Sequence, residues 1–193
     1  LSAMIPVLSH MGCETYNLPT AIVSNTLDYG KFEILDTSEY MRKTLEVWAE
    51  LGFVFDAVST GFIISKEQTE LLTEFCKDRA EKGSIIFTDP IMGDEGVLYN
   101  GVSEETVALM RKLIGVADYI LPNYTEASYL AGATYQEDGA SEEEYHAIIE
   151  RLRELGAKSV VITSAKLKDA SVKSVIGYDH KEKEYFKIDF DEI

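Results

Sequence analysis

With 193 residues, 46% of them hydrophobic, the chain can bury one substantial core and is too short to demand two domains. A formal charge of −16 with no basic stripe argues against nucleic acid as a partner, and no apolar run is long enough for a membrane span or a signal peptide. The cysteines, Cys13 and Cys76, lie far apart and suit neither a disulfide framework nor a metal-ligand pair, so a reducing cytoplasm is the default compartment.

The stretch Leu1-Ser2-Ala3-Met4-Ile5-Pro6-Val7-Leu8 reads as the interior of an apolar helix with no polar lead-in, and the acidic end at Ile193 has no closing helix; the sequence reads as an excerpt of a longer chain. Residues 15–24 and 31–35 suit a short antiparallel pair. Met41, Leu45, Trp48 and Leu51 follow helical spacing up to a stop at Gly52, and Ala57-Val58-Ser59-Thr60 then reads as a strand. Ser65 with Gln68 is a capping-box pattern that opens a helix burying Leu71, Leu72, Phe75 and Ala80, with Gly83 after it and a strand over residues 84–88. Ser103 caps a helix carrying Val107, Met110 and Leu113, and residues 117–121 return as a strand that Pro122 ends. Two more capped helices follow, 123–131 with Asn123 and Glu126, and 141–155 with Ser141 and Glu144. The β-branched run 158–163 is a strand, and residues 171–177 and 184–188 flank a polar turn as an antiparallel hairpin. Glu142-Glu143-Glu144 reads as a helix first turn, where the macrodipole favours acid.

Strands alternating with helices require a mostly parallel sheet, because parallel neighbours need crossovers and each crossover helix must bury its apolar stripe. The class is α/β. In such folds ligands bind where strands end, and four strand ends here carry polar groups: Ser59-Thr60-Gly61, Asp89 with Asp94, Asn123 with Glu126, and Thr163-Ser164. Carboxylates can hold the water shell of magnesium, hydroxyls and amides suit phosphate oxygens, and glycine lets backbone approach a polyphosphate. Phosphoryl transfer is the first hypothesis, although neither a Walker-type loop nor a dinucleotide fingerprint is present.

The run Asp89-Pro90-Ile91-Met92-Gly93-Asp94-Glu95-Gly96-Val97-Leu98-Tyr99 resembles the Asp-Pro-Val-Met-Gly-Asp-x-Gly-x-Leu-Tyr motif of pyridoxal kinases, members of the ribokinase-like superfamily. Leu18-Pro19-Thr20-Ala21 with Ser24, Thr60-Gly61-Phe62, Leu121-Pro122-Asn123-Tyr124-Thr125-Glu126-Ala127 and Val160-Val161-Ile162-Thr163-Ser164 follow in family order, so the resemblance covers essentially the whole chain. It implies a three-layer α/β/α ribokinase-like sandwich with a mostly parallel central sheet and antiparallel hairpin additions. The activity it implies is transfer of the ATP γ-phosphoryl group to the 5′-hydroxymethyl of pyridoxal, pyridoxine or pyridoxamine.

Carried over by motif position, Asp94, Asn123, Glu126, Thr163 and Ser164 are expected at the nucleotide, and Asp89, Asp94 and Glu126 around Mg2+. Ser24, Thr60 and Phe62 are expected to border the nucleotide or vitamin pocket. The resemblance allows for a monovalent cation and implies a homodimer. It places the anion hole and catalytic base in a Gly-Thr-Gly-Asp segment beyond Ile193, and a first strand with a Ser-Gly loop before Leu1. One kinase domain lacking both segments is therefore expected, and residues 1–193 alone should be inactive.

Two departures bear on vitamer preference: Ser24-Asn25-Thr26-Leu27-Asp28-Tyr29 replaces the family's Ser-x-His-Thr-Gly flap, and Phe62 stands where tyrosine is usual. Losing a tyrosine hydroxyl removes a hydrogen bond worth roughly 0.5–1.5 kcal/mol, too little to change the substrate class. Plainer roles remain open. Asn123 with Glu126 suffices as a helix cap, Thr163-Ser164 and Asp94 suit turns, and Cys76 suits core packing. The three histidines, His10, His146 and His180, are unclustered, and Tyr124, Tyr129 and Tyr135 suit the core or a rim, with one open to lying near adenine. The rival functions are a kinase of hydroxymethylpyrimidine or its phosphate, whose motif usually diverges after Asp-Pro-Val-Met, and a catalytically silent B6-binding or regulatory protein.

Overall fold

The alternation written in the sequence becomes, in chain order, α1 (Met4–His10), β1 (Ala21–Val23), β2 (Ile34–Asp36), α2 (Ser38–Glu50), β3 (Ala57–Thr60), α3 (Lys66–Glu81), β4 (Ile85–Thr88), β5 (Gly93–Asp94) and β6 (Val97–Leu98). Then come α4 (Glu104–Ile114), β7 (Tyr119–Ile120), α5 (Tyr124–Ala131), α6 (Glu142–Glu154), β8 (Ser159–Lys166), β9 (Lys173–Asp179) and β10 (Glu184–Phe190). The computed structural model describes residues 4–26, 29–168 and 170–191. Leu1, Ser2 and Ala3 of the first expected helix, Leu27 and Asp28 of the flap, and Ile193 lie outside the described residues.

A six-stranded sheet has the order β10-β9-β8-β7-β4-β3. The strands β3, β4, β7 and β8 are mutually parallel, and β9 and β10 add the expected antiparallel hairpin. The parallel register puts Thr60 beside Thr88 and Ile120 beside Val160, so all four strands run out along one edge. Pleating gives each strand two unlike faces. Ile86, Thr88, Ile120, Val160 and Ile162 are completely buried, whereas the alternate residues Phe87, Tyr119 and Val161 are half-buried. The helical stripes close the core from the buried side: Val107, Met110 and Leu113 of α4 are buried as their spacing predicts, and so are Tyr145, Ile149 and Leu152 of α6.

Local differences from expectation have local causes. The strand expected over 117–121 keeps only Tyr119 and Ile120 in β7, while β8 runs three residues past 163 because β9 pairs with it through a bulge between Ile162 and Ala165. On α3, Leu72 is buried as expected and Leu71, Phe75 and Ala80 are half-buried, but Gln68, Thr69 and Cys76 share the buried face. Burial pushes the Cys76 thiol up to about 12, as befits a packing residue.

Gln68 is buried because it serves three partners at once. Ser65 Oγ accepts from the Gln68 N–H and so caps α3, but Gln68 Oε1 accepts from Ile64 N–H (3.2 Å) in place of completing the reciprocal box. Its Nε2 donates to the Thr20 carbonyl (2.7 Å) and to Asp36 Oδ1 (3.0 Å), which ties the β1–β2 flap to the helix. Replacing Gln68 by leucine strands these groups and should lower stability by about 1–3 kcal/mol. Denaturant titration measures that loss, and amide exchange should show it concentrated in the flap.

Candidate active site

The motif after β4 folds as a tight ribbon laid across the start of α5. Asp89 N–H donates to the Thr60 carbonyl and Ile91 N–H to the Asp89 carbonyl (both 2.9 Å), so the chain turns as soon as it leaves the sheet. Met92, completely buried, anchors it. β5 and β6 then pair as a hairpin whose two turn residues, Glu95 and Gly96, have φ of 49° and 82°, as a type I′ turn requires. A Cβ on Gly93 would lie 2.3 Å from the Val97 carbonyl oxygen, so glycine is needed there for strand approach. This hairpin was not expected from sequence, where β-strands of two residues leave no periodic signal.

Opposite the ribbon, Asn123 caps α5. Its Oδ1 accepts from Glu126 N–H and Glu126 Oε2 accepts from Asn123 N–H, each at 2.9 Å, the reciprocal box predicted from the pattern. The same two side chains reach outward as well. Asn123 Nδ2 donates to the Gly93 carbonyl (2.8 Å), and Glu126 Oε1 accepts from Met92 N–H (2.9 Å). The pair is therefore a helix cap and the fastening of the glycine-rich ribbon.

Glu126 is 4% exposed, and burial, with the charge of Asp89 adding to it, raises its carboxyl to about 7 against the N–H donors that favour the anion. Burial also raises Asp89, and no described side chain donates a hydrogen bond to its carboxylate. Asp94 is different: it is exposed, and its Oδ1 accepts from Glu95 N–H (2.8 Å) within the turn. Among the described residues, no three His, Cys, Asp or Glu side chains are gathered as a metal-binding set. What the edge offers is two carboxyls, Asp89 and Glu126, the first of which is felt electrostatically by the second, with Asp94 on the adjoining hairpin.

The remaining candidates divide by place. Thr163 continues the edge: its N–H donates to the Pro122 carbonyl (2.9 Å) and it bridges to Asn123. Ser164, at φ 53° in the β8 bulge, is exposed. Thr60 is buried just below the edge and donates to Thr88 Oγ1 (3.0 Å). The half-buried Phe62 gives its carbonyl to Thr20 Oγ1 (2.6 Å). Ser24 sits in the flap, where its Oγ accepts from Glu33 N–H (2.9 Å) and donates to Asn25 Oδ1 (2.6 Å). Asp89, Asn123, Glu126 and Thr163 are thus joined through shared backbone, whereas among the described residues the hydrogen bonds of Ser24 stay within the flap. Sequence reasoning passed over Thr125, whose hydroxyl accepts from Gly96 N–H (2.8 Å); one threonine inside a capping box carries no distinguishing signal.

A family profile described as phosphomethylpyrimidine kinase matches residues 1–190. A pyridoxal kinase from Arabidopsis thaliana is 36% identical over 196 residues, covering 97% of this chain and 60% of that protein. Among solved structures, a candidate phosphomethylpyrimidine kinase from Bacteroides thetaiotaomicron, crystallised in a form with pyridoxal, is 36% identical with a TM-score of 0.92, covering 100% of this chain and 68% of its own. The pyridoxal kinase of Lactobacillus plantarum is 30% identical with a TM-score of 0.80, covering 100% and 67%. The chain spans only 35% to 52% of the length of the first three curated relatives it matches, all pyridoxal kinases.

The raised Glu126 carboxyl gives a pH signature with a definite sign. Between its ordinary 4.5 and about 7 the folded protein holds a proton that the unfolded chain has released, so this group's contribution to stability is full below 4.5 and is lost as pH rises to about 7. Denaturation profiles should show wild type losing stability relative to Glu126→Gln across that window, by on the order of 3 kcal/mol in all, with a constant difference above it.

Proposed function

The chain belongs to the phosphomethylpyrimidine kinase family, among the pyridoxal kinases, and on that premise we propose that the full-length protein uses ATP to phosphorylate the 5′-hydroxymethyl group of a B6 vitamer. The observation that carries this reading is the fastening of the Asp89-to-Gly96 ribbon to the cap of α5, which brings Asp89 and the buried Glu126 together at the end of the parallel strands. A divalent cation relieves such a pair. Magnesium suits it in particular, because it retains several waters and binds through one or two carboxylates plus substrate phosphates, with no need of an all-protein cage.

When bound, magnesium neutralises charge on the phosphates during transfer. The protein's part is positioning. Asp89, Asp94 and Glu126 would hold the magnesium, Asp94 from the hairpin. Asn123, Thr163 and Ser164 face the nucleotide phosphates, beside the N-terminal N–H groups of α5, which favour anions. Ser24, Thr60 and Phe62 border the acceptor pocket, and we place the general base for the acceptor hydroxyl beyond Ile193. A cytoplasmic homodimer, with a monovalent cation as an optional cofactor, completes the reading. Among the described residues no helix is long and apolar enough to cross a membrane.

A second reading, phosphorylation of hydroxymethylpyrimidine or its phosphate, draws on the family description itself. The first is favoured by the hairpin Gly93-Asp94-Glu95-Gly96, which continues the pyridoxal kinase motif past the point where the pyrimidine kinases diverge. With Mg-ATP, the full-length protein should turn over at least one of pyridoxal, pyridoxine and pyridoxamine faster than hydroxymethylpyrimidine. Asp89→Asn should lower kcat/KM by about 10–100-fold, as expected when a carboxylate acts on a metal through its water shell. Residues 1–193 alone should give no turnover. Turnover of hydroxymethylpyrimidine alone would establish the second reading, and turnover of neither would leave the silent binding protein.

A further inference from the structure

The strands β5 and β6 contain two residues each, too few for a ribbon to hold its own position in water. Its place must come from contacts made with other elements. At its base these are Asn123 on the Gly93 carbonyl and Glu126 on the Met92 N–H, both already assigned to the site. At its tip they all converge on Gly96.

Thr125 Oγ1, on a residue 1% exposed, accepts from Gly96 N–H at 2.8 Å. The Tyr135 ring lies against the other side of Gly96, so closely that a Cβ there would be 2.6 Å from Tyr135 Cδ1. Tyr129 Oη adds a longer contact, 3.4 Å, to the Gly96 carbonyl. Tyr135 is itself braced. Its ring centroid is 4.7 Å from that of Tyr124, which is 4.9 Å from that of Tyr145. Tyr145 Oη donates to the Lys166 carbonyl (3.0 Å) and accepts from Lys166 N–H (2.9 Å). The hairpin tip is thereby tied through three tyrosines to the end of β8, two residues beyond Ser164.

We propose that Thr125 and Tyr135 are positioning residues that grip Gly96 from two sides and so fix where the hairpin presents Asp94 to the nucleotide and metal. This rests on the kinase reading for what Asp94 does, but not for how the hairpin is held. A threonine hydroxyl is required because the Gly96 N–H has a single partner on a half-buried turn, and removing the acceptor leaves that donor unsatisfied. An aromatic ring is required at 135 because a flat face fills the space a glycine leaves. The Tyr135 hydroxyl is not.

The test compares full-length wild type with Thr125→Val, Thr125→Ser, Tyr135→Leu and Tyr135→Phe. Amide exchange at Gly96 should accelerate about tenfold or more in the Val and Leu variants, while the α5 amides stay protected and the Ser and Phe variants remain near wild type. The KM for Mg-ATP should rise several-fold in the Val and Leu variants, with the KM for the B6 vitamer within about twofold of wild type. Unchanged Gly96 exchange in both disruptive variants would overturn the grip. Faster exchange without a rise in the Mg-ATP KM, or with an equal rise for the vitamer, would overturn the positioning of Asp94. If wild type turns over no B6 vitamer, the kinase reading fails, and exchange together with the affinity for Mg-ADP decides the proposal by the same criteria.

Discussion

The structure depends on one buried carboxylate that faces two ways. Glu126 accepts from the backbone of Asn123 behind it and from that of Met92 in front, joining the start of α5 to the chain that has just left β4. Burying an anion is unfavourable, and the backbone donors around it offset only part of the cost, which is why the group's proton affinity is raised and not lowered. In the kinase reading, a cation would offset that imbalance. A neutral residue could close the same gap between helix and ribbon, but it would leave Asp89 alone at the edge with nothing to share.

Everything else delivers backbone to that junction. The parallel register aligns Thr60 with Thr88 and brings Asp89, Asn123 and Thr163 out side by side, each attached through its own N–H or a neighbouring carbonyl to the adjacent strand end. Asp89 N–H on Thr60, Leu121 N–H on Thr88 and Thr163 N–H on Pro122 form a continuous series along the edge, each at 2.9 Å. The loops there are therefore not free to wander, and polar side chains from four strand ends share one short line. The β1–β2 flap stands apart, tied to the rest through Gln68 and through Thr20 on the Phe62 carbonyl.

How much of this could be read in the sequence follows from the range of each interaction. The cap of α5 was legible because Asn123 and Glu126 lie three residues apart, and the core stripes of α4 and α6 were legible because burial repeats with the helical period. Asp89 to Tyr99 stood out as a motif before its shape could be known. Its hairpin was hidden because two-residue strands have no period, and the role of Thr125 because it depends on a partner 29 residues away. Gln68 shows the same limit from the other side. Its spacing from Ser65 suggested a reciprocal cap, but its Oε1 accepts from Ile64 N–H while its Nε2 reaches the flap, and that second, long-range role has no signal in the local pattern.

In the proposed kinase the Asp89–Glu126 pair receives a cation together with nucleotide. The most direct measurement is a carbon-13 NMR titration of the Glu126 side-chain carboxyl in the full-length protein, with and without Mg-ADP. The apo protein should titrate near 7, and magnesium with nucleotide should pull that value down toward the ordinary carboxylate range. A Glu126 carboxyl that already titrates near 4.5 without metal, or one that Mg-ADP leaves where it was, would contradict the claim.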